Sequence, residues 1–158
     1  MLEWLESSQF SAWIRNALWG WPFALTLHAF GTALVVGFIV IIGLRLFGLS
    51  AIIPYTLLKR FFPVVWGALA LQFVSGFVLW MAKPAQYAGD AAFVLKFLLV
   101  IAGIVLTFFL YRTIKQEAGS WDAKGHASLR AVTLGTAALV VWCVVLIAGR
   151  LIAHLGAI

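Results

Sequence analysis

The stretch "WPFALTLHAFGTALVVGFIVIIGLRLF", residues 21–47, holds a single ionisable side chain, His28, before it reaches Arg45. A run of about 20 apolar residues crosses a bilayer as a helix, and this stretch is longer. Pro22 suits a first helical turn, where its missing N–H would go unpaired anyway. The same apolar character returns at about 61–82, with Pro63 near its start, at about 91–111 and at about 129–154. Over the whole chain, 65% of the 158 residues are hydrophobic and 10% are charged, and mean hydropathy is +1.08. A soluble domain of this size cannot bury so much apolar surface in one core. The expectation is an all-α integral membrane protein with four transmembrane helices, forming one domain over residues 1–158.

The connections are short, which favours antiparallel neighbours and an up-down four-helix bundle. "GLSAIIPYTLLKR" (48–60) is partly apolar and is expected along the membrane surface. "KPAQYAGD" (83–90) reads as a compact turn, and "KQEAGSWDAKGHAS" (115–128) as the one strongly polar loop. Ahead of the first span, Phe10, Trp13, Ile14 and Ala17 recur at helical spacing, which predicts a short N-terminal interfacial helix. "MLEWLESSQF" (1–10) carries Glu3 and Glu6 but no basic leader or immediate apolar run, so it is read as retained rather than as a secretory signal. Arg45, Lys59 and Arg60 flank the first connection, and Arg112, Lys115, Lys124 and Arg130 the third; Arg15 and Lys83 lie on the other side. The positive-inside rule puts the first and third connections in the cytoplasm and both termini outside, in the periplasm for a bacterial inner membrane.

Several function classes drop out. The net charge of +6 resides in the connections, where topology requires it, so nucleic acid is not an expected partner. The lone Cys143 excludes an intrachain disulfide and a CxxC metal site. No Ser-His-Asp set, intramembrane carboxylate pair or phosphate loop is visible.

Four ionisable residues fall in the outer half of the predicted membrane: His28 in the first span, Lys96 in the third, and Arg150 and His154 in the fourth. An intramembrane ionisable group points to function by default. His28 is either a packed histidine bonded to a carbonyl or a neighbouring hydroxyl such as Thr32, or a metal ligand, most plausibly to haem iron. Small residues around it, Ala24 and Gly31, leave room for a flat macrocycle and equally for close helix packing. Arg150 and His154 share a helix face at four-residue spacing. A haem b with His28 and His154 as axial ligands, and with Arg150 or Lys96 on its propionates, is a consistent site. Snorkelling of Lys96, Arg150 and His154 to the interface is the alternative. Small residues four apart, Ala29/Ala33 and Ala131/Gly135, serve contacts within the bundle or between subunits of a homo-oligomer.

Residues 21–48 resemble the opening of a bacterial inner-membrane family whose shared domain is of unknown function. The matching positions are Pro22, His28, Gly31, Gly37, Arg45 and Gly48, and the likeness continues through Gly76, "AFVLKF" with Phe93 and Lys96, and "AGRLIA" with Arg150. More distantly, the chain is similar to HemJ-type protoporphyrinogen oxidases and to copper-resistance protein D-like membrane domains. In the HemJ-type family a first-helix histidine and a third-helix lysine matter, and haem b is bound; His28 and Lys96 fall at the corresponding places. "LRLF" (44–47) and "KRF" (59–61) are similar as well, whereas "FFLYRT" (108–113) stands where that family has a histidine-rich helix end. The resemblance implies a haem-binding scaffold more than the oxidase activity.

The functional expectation is a haem b-binding membrane protein with a redox or electron-transfer role near the outer leaflet, with a quinone or a periplasmic redox partner. Two alternatives stand beside it. One is a HemJ-like porphyrinogen or quinone-linked oxidoreductase, with Lys96 positioning an anionic substrate or taking a proton. The other is a non-catalytic metal-handling or assembly subunit.

Overall fold

The computed structural model describes residues 4 and 6–155, without the side chains of Ala85, Ala88 and residues 150–155. A short helix α1 (Gln9–Asn16) precedes α2 (Gly20–Leu46). A 3-10 helix (Tyr55–Arg60) leads into α3 (Phe62–Ala82), the short α4 (Pro84–Ala88) leads into α5 (Ala91–Lys124), and α6 (Leu129–Leu155) follows. Four of these segments are long and apolar enough to cross a membrane, and they form an antiparallel, multi-pass membrane bundle. Pro22 and Pro63 stand in the first turns of α2 and α3, as expected. Asp90 caps α5 by accepting the Ala92 N–H at 2.9 Å. Gly125 ends α5 at φ +78°, a left-handed conformation that glycine adopts without a Cβ penalty.

Most of the segment read as a polar loop is helix instead. At 1.5 Å per residue, the 34 residues of α5 extend about 51 Å, well beyond a hydrocarbon layer of about 30 Å. Ile114, Ala118 and Trp121 carry a buried stripe past the apolar run, and the stripe has a partner in the 3-10 helix. Tyr55 meets Trp121 edge-on at 5.7 Å. Asp122 accepts the N–H groups of Tyr55 and Thr56 at 2.6 and 3.1 Å. Buried Arg45 closes the junction, donating from Nε to the Ile53 carbonyl and lying 3.6 Å from the centroid of the Tyr55 ring. Tyr55 and Leu58 are buried, so the segment expected along the membrane surface folds against the bundle end.

The helices pack in the order α3, α2, α6, α5. The 3-10 helix joins α3 to α5 at the end rich in Lys and Arg, where the tilted rings of Phe62 and Tyr111 meet at 4.9 Å, and α4 joins them at the opposite end. The apolar core is lopsided. Val35, Ile39, Ile42, Leu58, Phe62, Val65, Leu110, Ile114 and Trp142 are fully buried, and all lie toward the basic end or mid-bundle. Trp142 packs on Gly103, where a Cβ would approach the indole to 2.9 Å, and its Nε1–H donates to Thr107 Oγ1 at 3.0 Å.

At the other end, α1 lies across the ends of α2 and α3. It docks through Ser11 and Ile14, while Phe10 and Trp13 stay 47% and 61% exposed with their rings 6.4 Å apart. The predicted apolar face is thus divided between the bundle and the lipid side. Ala131 and Gly135 are buried within the bundle, whereas Ala29 and Ala33 face outward. Cys143 is exposed on α6.

A candidate intramembrane site around His28

His28 lies on the α2 stripe that continues through Gly31 and Val35. Gly31 and Val35 are buried, but His28 retains partial exposure. Lys96 on α5 likewise starts a stripe that becomes fully buried at Gly103, Thr107 and Leu110. The inward faces therefore close toward the basic end and loosen toward the outer one. His28, Ser75, Lys96 and Gly149 all sit about two turns or less from the outer ends of their helices.

Backbone proximity makes the His28 contact possible. A Cβ at Gly31 would lie 3.2 Å from the Ala68 carbonyl oxygen and 3.3 Å from the Gln72 nitrogen, so α2 and α3 meet almost backbone to backbone. One turn away, a Cβ at Gly76 would stand 3.0 Å from His28 Cε1. The imidazole uses that gap to reach the α3 backbone. Its Nδ1 lies 3.2 Å from the Gln72 carbonyl oxygen and 3.2 Å from Ser75 Oγ.

These partners decide the tautomer. A carbonyl oxygen only accepts. The Ser75 hydroxyl already donates to the Leu71 carbonyl at 2.7 Å, so it too is an acceptor toward His28. The neutral ring therefore carries its proton on Nδ1, and the Nε2 lone pair is free of it. Among the described residues Nε2 makes no hydrogen bond. Thr32 Oγ1 lies 2.9 Å from the His28 carbonyl and 2.8 Å from Gln72 Oε1, and its one proton serves either acceptor. The partner hydroxyl for the ring is thus Ser75 on the next helix rather than Thr32.

Lys96 comes from α5 and rests against Gly149 of α6, where a Cβ would be 3.2 Å from Nζ. Lys96 and His28 stand at the same outer level of the bundle, Lys96 against α6 and His28 against α3. The structure therefore brings His28 and Lys96 to one region. Gly31 faces the α3 backbone, so its missing side chain serves helix packing. The side chains of Arg150 and His154 lie outside the described residues. No cluster of three or more His, Cys, Asp or Glu side chains occurs among the described residues. Gly149 was not singled out in the sequence. A glycine opposite an intramembrane lysine on the next helix could have flagged it, but the pairing of Lys96 with that glycine is tertiary.

Comparison with known protein families, with curated proteins and with solved structures yields no match.

Proposed function

We propose that this chain is a haem b-binding membrane protein with a redox role, in which His28 Nε2 is an axial ligand. The observation that carries the reading is the Nδ1 contact with the Gln72 carbonyl. Metal-ligating histidines characteristically donate their other ring N–H to a carbonyl or carboxylate, which fixes the ring and raises the basicity of the free nitrogen. The donor chemistry at His28 fits a haem iron on one side. Lys96 would pair with an anionic propionate, and Arg150 and His154 stay in the proposal as a second propionate partner and a second ligand. When bound, haem supplies a one-electron couple whose potential is tuned by its axial ligands and surroundings. The chain's own part would be to hold His28 in a single tautomer and to hold the Lys96 amine near the outer end of the bundle. The proposal includes a bacterial inner membrane with the basic end in the cytoplasm, a quinone or periplasmic partner, and a homo-oligomer.

A second reading is favoured by the same hydrogen bonds: His28 as a structural pin between α2 and α3, in a non-catalytic subunit. The visible spectrum of the purified protein, oxidised and reduced, separates the two. A Soret band that His28→Ala abolishes or shifts supports the proposal. No Soret band after haem supplementation overturns it in favour of the pin. Rescue of porphyrinogen oxidation in a deficient strain would make the protein an oxidoreductase.

A further inference from the structure

A groove of about 480 Å³ runs between α5 and α6 near the basic end, lined by Phe109, Leu129, Arg130, Thr133 and Leu134. Its walls are nearly all apolar. The Thr133 hydroxyl is occupied by the Leu129 carbonyl at 2.9 Å. Arg130 is the one charged lining residue; it is exposed, and no ion pair is formed among the described residues. The groove sits where the apolar run of α5 ends, since Phe109 is followed by Tyr111 and then Arg112. An apolar floor at bilayer depth with a guanidinium at its rim matches an amphiphile of opposite charge.

The surroundings reinforce that sign. Arg45, Lys59, Arg60, Arg112, Lys115, Lys124 and Arg130 stand at this end against Glu117 and Asp122. Asp122 is already engaged by two backbone N–H groups. We infer that the groove between α5 and α6 seats an anionic phospholipid, with an acyl chain along Phe109 and Leu134 and the phosphate on Arg130. Guanidinium suits this role because its planar fork pairs with phosphate oxygens in bidentate fashion. A second depression, at Pro54, Thr56, Leu57, Lys59 and Arg60, carries two cations but no aromatic wall. It supplies a control of the same sign of charge.

The test uses the full chain, purified in mild detergent and exposed to an equimolar mixture of phosphatidylglycerol and phosphatidylcholine with identical acyl chains. Native mass spectrometry reads the retained lipid. The wild type should retain phosphatidylglycerol with about a fivefold preference, as expected for one basic residue at the surface. Arg130→Ala should bring the preference to parity, and Lys59→Ala with Arg60→Ala should leave it unchanged. Thr133→Phe, which fills the groove and keeps every charge, should lose bound lipid of both kinds. Millimolar inorganic phosphate should not displace the lipid, because the acyl chain contributes to binding. Equal retention of the two lipids by the wild type would overturn the inference. So would equal loss in the Lys59/Arg60 variant, displacement by phosphate alone, or a dimer mass that Thr133→Phe abolishes.

Discussion

His28 on α2 and Gln72 on α3 are joined at 3.2 Å from imidazole Nδ1 to a main-chain carbonyl. Because the acceptor is backbone, no substitution at residue 72 removes it directly. The ring orientation is held by the path of α3 itself, and that path depends on the close approach at Gly31 and Gly76.

Gly76→Ala should disturb the site more than any change to the Gln72 side chain. The added methyl would stand 3.0 Å from Cε1 and 3.3 Å from Nδ1 of a ring that is already tied down. Overpacking of this kind costs about 1–3 kcal/mol. Thermal unfolding in detergent should show the loss, with Gly67→Ala unchanged because nothing lies within 4 Å of its built Cβ.

Ser75→Ala leaves the Gln72 carbonyl in place and removes only the second acceptor at 3.2 Å. Interhelical hydrogen bonds in membranes average about 0.6 kcal/mol, so the stability change should be small. If His28 ligates haem, the spectrum of this variant should shift without being lost.

Trp142→Phe should cost about 1 kcal/mol, since it keeps most of the ring packing and forfeits the N–H bond to Thr107. Trp142→Ala should cost about 3–5 kcal/mol, because a fully buried indole is removed from its seat on Gly103. A Trp142→Phe, Thr107→Val cycle should show positive coupling, measured by unfolding.

Asp122→Ala should release the 3-10 helix from α5. Two backbone N–H groups lose their acceptor at once, and Arg45 loses the negative charge nearby. Hydrogen exchange at Tyr55 and Thr56 should accelerate at least about tenfold, as for the loss of roughly 1.4 kcal/mol. Lys115→Ala, an exposed change on the same helix, should leave that exchange unaltered.

Ser11→Ala with Arg15→Ala should free α1 from the bundle. Ser11 donates to the Met81 carbonyl at 2.8 Å and Arg15 Nη1 to the Ala82 carbonyl at 2.6 Å, so together they satisfy carbonyls that the end of α3 leaves without helical partners. Limited proteolysis within residues 7–19 should become faster while the four long helices stay protected.

Much of this architecture could be read from the chain because insertion into a membrane responds to local composition. Hydropathy marked the four spans, Pro22 and Pro63 marked two helix starts, and His28 and Lys96 stood out as ionisable groups with no business in lipid unless something inside the bundle meets them. Gln72 and Ser75 are polar residues in an apolar run, and both bond across to α2.

The rest depended on partners far apart in sequence. α5 continues to Lys124 because Ile114, Ala118 and Trp121 find the 3-10 helix to cover them, and no local pattern names that partner. Phe10 and Ile14 lie on one predicted face of α1, yet docking buries Ile14 and leaves Phe10 out, since only one edge of the helix meets α2 and α3. The tautomer of His28 likewise follows from which atoms α3 presents one helix away. Composition determines which segments leave water, because that free energy sums over neighbouring residues. The facing of each side chain follows from contacts between segments, and these exist only once the helices have packed.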